Sequence, residues 1–464
     1  MRSIKRLFDR RSSMLVFGTC SLAAVAGASC GTSDDATAPI AADTLDAAAG
    51  DDGSDAVLSD AAAEASPVVD AAPFDGGPLP IVCTSKPCAT ALVTSSSASG
   101  TVPPHEGFCA LLDDGTVACW GANADGQLGR GAEGGTRDSA NPARVVGLSD
   151  VVELDHTCAR TANGDVWCWG LGMYVRDDAV VYASELAPVK VPIPPATSIG
   201  VGALVGCAAT ADGLLCWGDN AYRQIDPSNT SGLRLPTRID LPPGAPIRDV
   251  LVGNATFVVR DDGSTLSLGA NPPLARVSSI PVGDAHPAPP ALGAVTAMDL
   301  TSTSACAIVG GVGYCWGAVD LSKLPDEDKP SPLVNALPKP ITAPEPLVAI
   351  ATTSTAATSD FAGETIVLPQ RWCAVGASGD VYCRGLNAQG QAGDGTKDLA
   401  LDAVKVKGLP APAVQVKTMP LSTCALLTTG KIHCWGNNAS GQLGRGWFGL
   451  AEAGSLAPQE VVLP

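Results

Sequence analysis

From residue 83 onward the chain alternates short apolar runs with polar, glycine-bearing turns. A typical stretch runs Cys109-Ala-Leu-Leu, Asp113-Asp-Gly-Thr, then Val117-Ala-Cys-Trp-Gly. Alternating apolar segments joined by Asp-Gly or Asn-Gly predict a β-hairpin, because these dipeptides tolerate the positive φ of a tight turn. The same unit returns at Cys158 to Gly170, Cys207 to Gly218, Cys306 to Gly317, Cys373 to Gly385 and Cys424 to Gly436. A seventh copy, Phe257 to Gly269, keeps the Asp-Asp-Gly turn but has Phe257 and Ser267 where the others have cysteine. Closing glycines at 121, 170, 218, 269, 317, 385 and 436 are 48 to 51 residues apart, except for one step of 68. Each period has room for four short strands, which predicts a β-propeller of seven blades over residues 83–464.

The cysteines sharpen this expectation. Cys20 and Cys30 lie near the N-terminus, and the remaining 14 form seven close pairs. Six pairs flank the hairpin turns: Cys109/Cys119, Cys158/Cys168, Cys207/Cys216, Cys306/Cys315, Cys373/Cys383 and Cys424/Cys434. Cys83/Cys88 precedes them. Facing positions on neighbouring antiparallel strands come within disulfide reach, so intra-blade bridges are expected. Zinc sites would show tighter Cys spacing with nearby histidine, which these pairs lack. The joint loss at Phe257 and Ser267 also suits a covalent bridge, which needs both partners.

Composition bears on the rest. Gly (51) and Pro (37) are abundant and aromatics make up only 4%, which favours many turns over long helices. A net charge of −18 makes nucleic acid and anionic lipid headgroups poor partners. Residues 1–30 read as a signal peptide: basic residues from Arg2 to Arg11, an apolar run from Met14 to Val25, then Ala26-Gly27-Ala28-Ser29-Cys30. Small residues before Cys30 fit a lipobox with lipidation at Cys30, although Ala26-Gly27-Ala28 equally suits ordinary cleavage. Residues 31–82 read as a disordered acidic linker, with 11 Asp or Glu and no Lys or Arg between 31 and 80. An outer-membrane or cell-surface lipoprotein is therefore expected, otherwise a periplasmic or secreted one.

The fuller motif, Cys119-Trp-Gly-Ala-Asn-Ala-Asp-Gly-Gln-Leu-Gly129, repeats at Cys434 to Gly444 and in worn form at Asn387 to Gly393. It resembles the regulator of chromosome condensation repeat, a family of seven-bladed propellers. The resemblance implies a fold more than a function. The family's nucleotide exchange on a small GTPase does not suit an exported acidic chain.

Candidate chemistry is sparse. Trp120, Trp169, Trp217, Trp316 and Trp435 share one repeat position and are expected to pack between blades. The four histidines (His105, His156, His286, His433) sit in no nucleophile or metal motif, and Asp113, Asp114, Asp261 and Asp262 read as turn residues. No cofactor, metal or catalytic residue is expected. Two insertions, 94–107 and 352–371, occupy the same point of the repeat and so the same face, which makes them candidate binding loops. Ser97, Pro104, His105, Asp360, Phe361 and Glu364 are the residues singled out there. The reading is a monomeric, non-catalytic binding or scaffold module for a protein or cell-surface ligand, with a secreted inhibitor or regulator of an extracellular enzyme as the alternative.

Overall fold

A computed structural model describes residues 74, 76–95, 105–176, 178–228, 232–271, 273–280, 283–317, 319–320, 336–359, 365–368, 370–449 and 454–464. The expected signal peptide with Cys30, and the loop residues Ser97, Pro104, Asp360, Phe361 and Glu364, lie outside these residues. Seven four-stranded antiparallel sheets follow one another along the chain: blade 1 at 89–144, blade 2 at 151–190, blade 3 at 196–239, blade 4 at 247–288, blade 5 at 295–340, blade 6 at 347–405 and blade 7 at 413–460. The fold is a seven-bladed β-propeller. An additional three-stranded sheet joins Val319–Asp320, Thr355–Ser359 and Thr365–Leu368. Among the described residues no helix is long and apolar enough to cross a membrane.

Each repeat hairpin forms the second and third strands of its blade, and the cysteines stand directly opposite each other in register, as in Cys109↔Cys119 and Cys207↔Cys216. Six hairpin bridges result: Cys109–Cys119, Cys158–Cys168, Cys207–Cys216, Cys306–Cys315, Cys373–Cys383 and Cys424–Cys434. All six share a Cα–Cα distance of 4.1 Å. That distance belongs to a facing, non-hydrogen-bonded pair. Their surroundings are not identical. Cys383 in blade 6 is fully buried, whereas Cys315 in blade 5 is only partly buried, because Lys339 and Pro340 make its outer strand just two residues long.

The seventh pair, Cys83–Cys88, which precedes the repeat hairpins, is bonded as well. Its Cα atoms are 5.7 Å apart, and it closes a turn in the segment leading into blade 1 instead of a hairpin. Cys83 is exposed, while Cys88 is buried against Gly430 in the hairpin turn of blade 7. A Cβ at Gly430 would come 2.2 Å from the Cys88 Sγ, so this bridge packs into the seam between the last blade and the first. Closing the hairpin loops of 9 or 10 residues restricts the unfolded chain by about 2–3 kcal/mol per bridge. Such density of disulfides is the mark of an oxidising compartment.

Blade 4 keeps the register without the bond: Phe257 stands opposite Ser267. Phe257 is fully buried against the indole of Trp316, with ring centroids 5.9 Å apart. Ser267 donates to the Leu274 carbonyl (2.8 Å) and accepts from Arg276 Nε (3.2 Å). Arg276 also pairs with the nearly buried Asp284 at 2.7 Å. Apolar packing and a polar clamp thus stand where other blades have sulfur.

The recurring words of the repeat now have physical meanings. The asparagine after Trp-Gly accepts the amide of the leucine-like residue five positions on: Leu128 to Asn123, Ile225 to Asn220, Ala392 to Asn387, Leu443 to Asn438. This ties off the loop between third and fourth strands. The tryptophan of the next blade then donates its indole N–H to the carbonyl just before that residue: Trp169 to Gln127 (2.9 Å), Trp435 to Gln391 (2.9 Å), Trp316 to Pro273 (2.8 Å). At Gly444, φ is +65° and a Cβ would sit 3.1 Å from the Trp120 ring, so glycine alone fits there comfortably. The five repeat tryptophans are at most 1% exposed. They are mortar between blades.

Candidate functional site on the blade 7 face

Strand direction decides which loops share a face. Connections from first to second strand and from third to fourth strand emerge on one face, and the Asp-Gly hairpin turns emerge on the other. Both sequence insertions connect first and second strands, Thr94 to Gly107 in blade 1 and Thr352 to Trp372 in blade 6. They flank blade 7, whose own first turn is short, running from Thr418 to Ser422.

Each insertion ends in a buried charge that grips that turn. Glu106, at the end of the first, accepts from the Leu421 amide (2.7 Å) and the Ser422 hydroxyl (2.5 Å). Arg371, at the end of the second, donates to the carbonyls of Met419 (2.5 Å), Ser422 (3.2 Å) and Gln391 (2.8 Å) and to the Thr423 hydroxyl (2.6 Å). Burial pushes the Glu106 carboxyl up, opposed by its hydrogen bonds and the charge of Arg371. The bases of both loops are therefore fixed.

On the same face, the loop joining the last two strands of blade 7 reaches the outer strand of blade 1, where the Gly446 amide donates to the Ala140 carbonyl (2.9 Å), and presents Trp447 and Phe448, each 43% exposed. Arg445 lies over the Trp447 ring at 4.5 Å from its centroid, and the Trp447 carbonyl is held by Asn438 Nδ2 (3.0 Å). Exposed aromatics of this kind anchor protein interfaces. Of the six loop residues singled out from sequence, only His105 is described; it is half-buried beside Glu106. Trp447 and Phe448 escaped the sequence reading. Their signal was aromaticity off the repeat position, in a chain where only 4% of residues are aromatic.

The central channel holds a second cluster that the sequence did not reveal. First strands line it, and the residue opposite the first cysteine of each hairpin is Asp155 in blade 2, Asp299 in blade 5 and Lys417 in blade 7. Lys417 Nζ pairs with Asp299 at 2.6 Å. Asp299 also accepts the Thr352 amide (2.8 Å), and Asp155 accepts the Val201 amide (2.7 Å). Burial pushes the Asp155 carboxyl up to about 6, against the pull of the Val201 amide and the Lys417 charge. Burial alone would lower Lys417, but Asp299 and Asp155 hold it above its ordinary value. Each partner joins different blades, so the cluster ties the ring across its centre. Among the described residues no group of His, Cys, Asp and Glu is arranged to hold a metal ion.

The sequence matches the family described as "Regulator of chromosome condensation (RCC1) repeat" at residues 107–127, 154–172 and 422–442, each spanning a repeat hairpin or its closing motif. Three stretches, in blades 1, 2 and 7, thus match this repeat. Among curated proteins, the ultraviolet-B receptor UVR8 of Arabidopsis thaliana is 26% identical over 381 residues, covering 76% of this chain and 79% of UVR8. The human E3 ubiquitin-protein ligase HERC2 is 28% identical over 172 residues, which is 35% of this chain but only 4% of that protein. Among solved structures, human WBSCR16 (TM-score 0.54, 18% identity, 75% of this chain and 94% of that one) and yeast Prp20p (TM-score 0.51, 17% identity, 73% and 90%) share the fold. The matched stretches contain Trp120, Trp169 and Trp435 of the tryptophan ladder.

Proposed function

We propose that this RCC1-type propeller is an exported, non-catalytic binding module that captures a protein or cell-surface ligand on its blade 6–7–1 face. The observation that carries the proposal is the exposed Trp447–Phe448 pair, on the face that bears both insertions, whose bases are locked by Glu106 and Arg371. Loop bases held in place lower the ordering cost of binding. The disulfides support export, and the basic-then-apolar N-terminus with Cys30 supports a lipid-anchored form on a tether drawn from residues 31–82, which ends short of Leu79, Ile81 and Val82 because these pack on the propeller. Yeast Prp20p, a fold relative, is described with binding to Gsp1p and histones, which illustrates that the scaffold can serve protein recognition.

The test immobilises the propeller and a Trp447→Ala/Phe448→Ala variant of equal thermal stability, and compares what each captures from solubilised cell envelope. A partner retained by the first and lost by the second is the expected result. Equal capture by both would discard this face. Mass spectrometry of the mature N-terminus checks lipidation at Cys30.

A further inference from the structure

The outer strand of each blade is the last of its sheet, and the repeat treats six of the seven alike. In each, the residue facing the second hairpin position is Ala143, Val189, Thr237, Ala288, Lys339, Val404 or Gln459. The residue just before it is Pro142, Pro188, Pro236, Pro287, Pro338 and Pro458 in blades 1, 2, 3, 4, 5 and 7. In blade 6 it is Ala403. The outer strand shifts register against the third strand just before the facing residue, and six prolines at this position show that the ladder takes no N–H from it. The residue three places on turns its N–H inward, as Val145 does to Val117, Val406 to Val381 and Val461 to Ile432. The proline position therefore turns its nitrogen outward, where a proline removes the donor that an added strand would need.

Blade 6 thus offers two successive outward N–H groups, Ala403 and Lys405, where blades 1, 2, 3 and 7 offer one and blades 4 and 5, with Pro289 and Pro340 two places on, offer none. Beside them Leu399 and Leu401 are 53% and 65% exposed. We infer that the blade 6 edge is a second interaction surface that accepts an extended strand from a partner protein, apolar at alternate positions and acidic at its ends. The hydrogen-bonding edge specifies a peptide backbone, the leucines call for apolar neighbours, and the exposed Lys397 and Lys407 flank them.

A second copy of the chain fits poorly. Two-fold antiparallel pairing centred on Ala400 sets Asp398 against Asp402, on Leu401 sets Lys397 against Lys405, and on Asp402 sets that carboxylate against itself. Centring on Ala403 sets both leucines against lysines. Like charges directly opposite destabilise a strand pair, and each copy carries −18 overall.

The surface is separate from the Trp447 face, so its test is independent. The probe is a fluorescent Asp-Thr-Val-Thr-Val-Thr-Asp peptide, titrated onto the full propeller by anisotropy. Saturable binding is expected, weakened about tenfold by Ala403→Pro, the loss of one main-chain hydrogen bond, and unchanged by Trp447→Ala. Six blades already hold proline at this register, so Ala403→Pro should fold; Leu401→Lys repeats the test by charge. Absence of saturable binding, or equal binding to wild type and both edge variants, overturns the inference. Sedimentation showing a dimer that Ala403→Pro abolishes overturns the choice of occupant.

Discussion

Glu106 and Arg371 hold the same serine from opposite sides. The Ser422 hydroxyl donates to the carboxylate of Glu106, and the Ser422 carbonyl accepts from the guanidinium of Arg371. Blades 1 and 6 are thereby pinned to the turn of blade 7. Removing one member leaves buried polar groups without partners, which costs far more than the pair is worth in place. Glu106→Ala is expected to destabilise by about 2–4 kcal/mol, read as a lower urea midpoint. Glu106→Gln keeps an acceptor for the Leu421 amide and should recover part of that loss. An unchanged midpoint in Glu106→Ala would show that the clamp is ornamental.

The ring closes where Trp120 donates to the Gln442 carbonyl at 3.0 Å, the same bond that joins other neighbours. Trp120→Phe should lose only that bond, about 1 kcal/mol, whereas Trp120→Ala should lose about 3–5 kcal/mol through the cavity it opens. Thermal unfolding of the two variants separates these values.

Acidity should act in opposite directions on two carboxylates. Asp155 is raised to about 6, so its folded state holds a proton that the unfolded state releases; its contribution is present below about pH 4 and is lost as pH rises through 6. Asp155→Asn should therefore flatten the fall in stability between pH 4 and about 7. Asp284 is held down to about 2 by the His286 amide, Arg276 and Ser278, which outweigh its burial. Its contribution is present above about pH 4 and is lost as pH falls towards 2, and Asp284→Asn should remove that acid-side loss. Denaturant titrations across pH read both.

Much of this could be read in the residues beforehand. The cysteine spacing and Asp-Gly turns carry hairpin geometry locally, so blade count and the register of pairs such as Cys306–Cys315 and Cys373–Cys383 were legible. The separate role of Cys83–Cys88 was not, because Cys88 meets Gly430 only once the ring has closed. The channel charges were hidden too, because Asp155, Asp299 and Lys417 share no motif; only strand pairing puts them at one level. Glu106 and Arg371 escaped notice for a related reason: their partners lie 316 and 51 residues away. Blade 4 was legible only by its missing cysteines, although Ala275 keeps the positive φ (58°) of the glycines at its place in other blades and Pro273 keeps the acceptor role.

Blade 4 also permits a constructive experiment. Phe257 and Ser267 already face each other as the cysteines do elsewhere, so Phe257→Cys with Ser267→Cys should form an additional disulfide, seen as no free thiol at those positions. Stability should not rise, because losing the buried phenyl costs about 3 kcal/mol and the closed loop returns about the same. A free thiol pair would contradict the register.

Every blade is drawn from one uninterrupted stretch, and the seam between blades 7 and 1 is closed by contacts such as Val82 to Thr428 and Ala89 to Gly430 rather than by a borrowed strand. A chain threaded through a membrane N-terminus first can therefore complete and oxidise each blade as it emerges, with no early blade left waiting for its last strand. Vectorial assembly of this kind keeps open edges short-lived, and it confines thiol pairing to partners 9 or 10 residues apart within the six bridged hairpins.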